Sequence, residues 1–102
     1  MADSQNRDGN DLVVEDINTG PHASGFGLLG DGRAFSFRVH RGRFTLEVYR
    51  RAMSGPVPLP EDVVAVADRD LADFADLDLD DEASVITAVR AAAAAATPVR
   101  GR

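Results

Sequence analysis

The fold turns on GFGLLGDGRAFSFRVHRGRFTLEVYRR, residues 25–51. It alternates apolar and polar residues on both sides of two dipeptides, Asp31-Gly32 and Arg41-Gly42. Asp-Gly is a favoured two-residue hairpin turn, and period-two alternation marks a half-buried strand. With both dipeptides read as two-residue turns, counting outward gives the register. Val39 then faces Phe44, Phe37 faces Leu46 and Phe35 faces Val48 around the second turn. Around the first, Leu28 faces Phe35 and Phe26 faces Phe37. All these pairs share one apolar face, and the other face collects Gly25, Gly27, Ser36, Arg38, His40, Arg43, Thr45 and Glu47. The reading is a three-stranded antiparallel meander over about 25–30, 33–40 and 43–51.

Upstream, LVVEDI at 12–17 is a short β-branched run that reads as an edge strand. Downstream, the three prolines of MSGPVPLP (53–60) end the sheet in a loop. Pro60 then suits a first helical position, and Val63, Ala67, Leu71 and Phe74 recur at helical spacing. After the acidic linker 75–81, Val85, Ile86, Val89 and Ala93 stripe a second helix, which stops before Thr97-Pro98. The expected fold is therefore α+β: an antiparallel three- to four-stranded meander followed by two α-helices packed on one sheet face, in two layers.

At 102 residues the chain has room for one domain. We assign it to 12–97, between an acidic disordered tail at 1–11 and a short disordered tail at 98–102. The hydrophobic fraction is 44% but the aromatic fraction only 6%, so aliphatics and alanine must fill much of the core. There is no cysteine, hence no disulfide, thiolate nucleophile or cysteine-based zinc site. No apolar leader opens the chain, and no run reaches the ~18 apolar residues of a membrane span. A cytoplasmic protein is expected. All eleven basic residues are arginine, and Asp outnumbers Glu thirteen to four, the mark of a high-GC bacterial coding bias.

Charge is segregated. Residues 21–60 carry a net +4 and residues 61–82 a net −9, within a chain of −6. Three motifs have a chemical reading, and each has a simpler one. Gly25-Phe-Gly27-Leu-Leu-Gly30 matches G-x-G-x-x-G, but dinucleotide binding needs a helix after the motif, and a strand follows. Glycine on the polar face of an edge strand, and at its turn, is the simpler account. Asp76, Asp78 and Asp80 match the first three ligands of a calcium loop, but the glycine required at 81 and the glutamate at 87 are absent. A solvated capping linker accounts for them. His22 and His40 are the only histidines, and Arg43 beside His40 opposes a cation. No metal site, cofactor or catalytic constellation is assigned, and the chain reads as a non-enzyme.

The arginines of 33–51 remain, six of the chain's eleven. They can balance the acidic region 61–82, contact a protein or follow a phosphate backbone. Charge balance is the simplest of the three, since exposed pairs form readily and contribute little, about 0–1 kcal/mol each. For a protein contact, Leu29, Ala34 and Tyr49 form an apolar row on the polar face, bordered by Arg38, His40, Arg43 and Arg51. Tyrosine and arginine are the residues enriched at interface centres. The free edges of strands 25–30 and 43–51 offer further contact. For nucleic acid, one exposed aromatic, Tyr49, and a pI near 4.7 are a poor match. The expected function is thus protein–protein contact, with itself as a homodimer or as an accessory subunit. A nucleic-acid accessory role through hairpin 33–51 is the alternative.

Overall fold

The computed structural model describes residues 12–51, 60–74 and 76–99. The whole of the expected N-terminal tail (1–11), residues 52–59 with most of the proline-rich loop, residue 75 and the last residues (100–102) lie outside that set.

The chain forms one six-stranded antiparallel meander in sequence order: β1 (Leu12–Asn18), β2 (Ser24–Leu29), β3 (Ala34–His40), β4 (Arg43–Tyr49), β5 (Val63–Asp70) and β6 (Thr97–Pro98). Among the described residues one α-helix, α1 (Glu82–Ala94), lies on one face, against β1, β4 and β5. This corrects the expected two helices on a three- to four-stranded sheet. The residues expected to form the first helix are instead a 3₁₀ turn at Pro60–Asp62, strand β5, and a second 3₁₀ turn at Leu71–Asp73. Val63, Ala67 and Leu71 fit a period of four. The same run, VVAVADRD, also alternates, burying Ala65 and Ala67 against the core. Valine favours the pleat over the helix, and β4 would otherwise present an unpaired edge.

Around Arg41-Gly42 the register is the one counted from the sequence. Val39 pairs with Phe44, Phe37 with Leu46 and Phe35 with Val48. Both turn residues have positive φ, as a tight primed hairpin turn requires. The Asp31-Gly32 turn is different. The Leu29 N–H donates to Arg33 O and the Gly32 N–H to Leu29 O, closing a three-residue loop, Gly30–Asp31–Gly32. Gly32 takes the left-handed position that completes such loops. The added residue slips β2 by one: Gly27 pairs with Phe35 and Gly25 with Phe37, while Leu28 and Phe26 pair with Ala34 and Ser36.

The slip reverses the two faces of β2. Gly25 and Gly27 are buried on the core side, where the backbone of β1 comes close. A methyl group on Gly27 would be driven into the Val13 carbonyl, and one on Gly25 into the Asp16 carbonyl and the Phe37 ring. The G-x-G-x-x-G pattern is therefore a packing device in an interior strand, not glycine on the polar face of an edge.

Phe35, Phe37, Val39, Phe44, Leu46 and Val48 form the centre of the core, with Phe37 and Phe44 stacked at 5.6 Å. Helix α1 covers them with Val85, Ala88, Val89 and Ala92, a stripe at i, i+3, i+4 and i+7. Its N-terminus is capped by Asp81, whose carboxylate accepts from the Ser84 N–H at 3.2 Å. Leu12, Val14 and Ile17 of β1 close the core beyond the glycines.

Gly27→Ala should destabilise the fold by about 2–3 kcal/mol, because backbone must move to admit the methyl group. Phe26→Ala, outside the core, should cost under about 1 kcal/mol, against the ~3–5 kcal/mol of a buried phenylalanine. Urea unfolding of both variants checks this register against the one with two-residue turns.

Candidate functional site

Among the described residues, the one helix lies on one side and no element covers the opposite, open face of the sheet. Its rows follow from the pairing. Val13, Leu28 and Ala34 lie side by side, as do Asp16, Phe26, Ser36, Glu47 and Val66; Ser24, Arg38, Thr45 and Asp68 make the next row. At the β1–β2 end the face is apolar, with Val13 61%, Phe26 49% and Leu28 40% exposed. None of the three was expected in the site. The available signal was the glycine alternation: with Gly25 and Gly27 on one face of β2, Phe26 and Leu28 must occupy the other.

The residues expected at the site fare differently. Arg38 is exposed on the open face and makes no ion pair with a described residue. Arg43 is also there, but its guanidinium pairs with Asp68 at 2.9 Å. His40 is exposed at the end of β3, its ring 6.5 Å from that of His22, so the fold brings the two histidines to one corner. Arg51 donates to the Asp31 carbonyl at 2.6 Å, beside the three-residue loop. Leu29 packs against the core, so the apolar row is built by Leu28 and Val13 in its place.

Tyr49 is on the open face but only 7% exposed, which removes it as an exposed stacking residue. Its hydroxyl lies 2.6 Å from Ser36 Oγ and donates to Glu47 Oε1 at 3.0 Å. Burial pushes the phenol above its ordinary value. The Ser36 hydrogen bond opposes that shift, and the Glu47 carboxylate adds to it. Nor are the edges of β2 and β4 free, since β1 covers the first and β5 the second.

The acidic region meets the arginines as a strand and the 3₁₀ turn before it rather than as two α-helices. Besides Arg43–Asp68, Arg50 Nε donates to the fully buried Asp62 at 2.9 Å, and the Arg50 N–H donates to the Asp62 carbonyl. Arg33 pairs with Asp31 at 2.9 Å. The Arg33 backbone N–H is the main cause that holds the Asp31 carboxyl below the usual range, with the Arg33 and Arg51 side chains adding to it.

Elsewhere, a shallow groove of about 350 Å³ runs between α1 and the segment before it, lined by Asp73, Phe74, Asp76, Leu77, Thr87 and Ala88 among others. Its Thr87 hydroxyl is engaged by the Ala83 carbonyl. Among the described residues no three His, Asp or Glu side chains converge on a metal-sized space. No helix is long and apolar enough to cross a membrane among those residues. The chain matches no family model, no curated protein and no solved structure.

Tyr49 is the sole tyrosine and the chain has no tryptophan, so its ionisation can be followed by ultraviolet absorbance. In the folded protein it should titrate above pH ~10, and in denaturant at about 10. Because the folded value is the raised one, Tyr49 contributes full stability below pH ~10 and loses it as pH climbs through the folded value. Tyr49→Phe should remove that alkaline decline in unfolding free energy.

Proposed function

We propose that this chain is a cytoplasmic, non-enzymatic protein-contact module that works through the open face of its sheet. The observation that carries this reading is the cluster of Val13, Phe26 and Leu28, three large apolar side chains exposed on adjacent strands. Contiguous apolar surface of this kind, rimmed by polar groups, marks contact sites. Arg38 borders the cluster and is the arginine of the face with no described ion partner, a rim residue of the type enriched at interfaces.

A phosphate-binding role is less well supported. Of the six arginines in 33–51, Arg33, Arg43 and Arg50 are held by carboxylates and Arg51 by a carbonyl. That leaves two, Arg38 and Arg41, for phosphates, while nucleic-acid surfaces depend on several cations acting together.

A photo-crosslinking phenylalanine analogue at position 26, introduced into the chain in its native host, tests the proposal. Irradiation should give a discrete protein adduct from position 26, and none from the same analogue at Arg90 on the exposed side of α1. Equal labelling from both positions, or no adduct from position 26, overturns it.

A further inference from the structure

We infer that the partner across this face is a second copy of the same chain, docked about a two-fold axis that passes beside Phe26. The inference rests on reading the open face as a protein-contact surface, and it adds the identity of the partner. It starts from two charges. Asp16 sits directly across from Phe26 on β1. On the other flank Ser36 is the partner of Phe26, and Arg38 follows two residues on, across from Ser24. Acid and guanidinium therefore flank the exposed ring on opposite sides. Strand spacing and rise place them roughly 12 Å apart, too far to pair with each other. Both are exposed, and neither has an ion partner among the described residues.

A face with an apolar centre, one unpaired acid and one unpaired base on opposite flanks is complementary to itself. Two-fold symmetry puts the same patch on both sides of an interface, so residue i meets j and j meets i. An axis lying in the face beside Phe26 brings Asp16 of each copy over Arg38 of the other. Two ion pairs form where Asp16 and Arg38 have no ion partner among the described residues, and the two Phe26 rings meet next to the axis. An unrelated partner has no reason to match this spacing, whereas a second copy matches it by construction.

The edges of the sheet argue the same way. Strand-to-strand addition needs a straight, unpaired edge. The outer strand β1 is broken by a bulge between Val14 and Asp16 and carries the acids Glu15 and Asp16. The other outer strand, β6, is two residues long and contains Pro98. Both are devices that discourage edge pairing. The open face remains as the surface for self-association.

Sedimentation velocity of the purified full chain over a concentration series tests the inference. The wild type should dimerise reversibly. Asp16→Arg and Arg38→Asp should each weaken the dimer by about tenfold or more, because each sets like charges face to face twice. The double variant, D16R/R38D, should recover affinity to within about threefold of wild type, since the pairs re-form with reversed sense. Phe26→Ser should also weaken it by about tenfold or more. All these side chains are exposed, and circular dichroism checks that each variant is folded. A wild type that stays monomeric to about 1 mM overturns the inference, as does a dimer indifferent to the charge swap. A monomer that still gives a position-26 adduct with a different protein leaves the contact face standing and removes only the second copy.

Discussion

The Arg33 backbone N–H donates to the Asp31 carboxylate at 3.0 Å, and this short contact helps hold a three-residue loop where two residues could have made the turn. The rest of the surface depends on that one residue. Because side chains alternate along a strand, a slip of one moves every residue of β2 to the opposite face. Phe26 and Leu28 leave the core, Gly25 and Gly27 enter it, and β1 can then approach closely enough to become a full member of the sheet. A two-residue turn at the same place would have buried the phenylalanine and left no apolar face to explain.

The arginines and the acids divide the chain between them, and the division has a structural use. The basic hairpin β3–β4 and the acidic strand β5 are neighbours, with Arg43–Asp68 on the open face and Arg50–Asp62 at the far end of the same ladder. The exposed pair contributes little to stability. Its value is in specifying the neighbour, since a strand bearing Asp68 and Asp70 and preceded by Asp62, beside one bearing Arg43 and followed by Arg50, disfavours the alternatives by like-charge repulsion. Arg69 is the exception on β5. It stands across from Phe44 and extends over the Phe74 ring at 5.8 Å, with its cation near Asp73. Of the six arginines that look like a basic patch in the sequence, β5 and the turn before it pair with two, Arg43 and Arg50.

The central hairpin was legible because its turn and its apolar pairs agree: Arg41-Gly42 admits one register, and every pair in it is apolar. The β2 register was not, because both readings satisfy a local rule. Matching Phe26 with Phe37 satisfies apolar pairing. Gly30-Asp31-Gly32 satisfies the three-residue loop, and only the close approach of β1, a contact distant in sequence, decides between them. The first helix failed for a related reason. Val63, Ala67 and Leu71 fit a period of four while Val63, Ala65 and Ala67 fit a period of two, and the choice lies with the unpaired edge of β4. The candidate site inherited these errors. Arg38 was placed correctly because β3 was, Leu29 was not because β2 was not, and Tyr49 was on the right face without its burial against Ser36 and Glu47 being visible.

The close approach of β1 requires Gly25 and Gly27 to face inward, but it puts no condition on what faces outward between them. Threonine, serine or a charged residue at positions 26 and 28 would serve an exposed strand face equally well. At 49% and 40% exposed, phenylalanine and leucine there give up part of a burial that, when complete, is worth about 1.5–3 kcal/mol for each side chain. Val13, the outward residue opposite Leu28 on β1, repeats the choice on the next strand. Three large apolar residues at three positions that packing leaves unconstrained do not follow from the contacts of the described residues. They follow readily if the face is covered when the protein works.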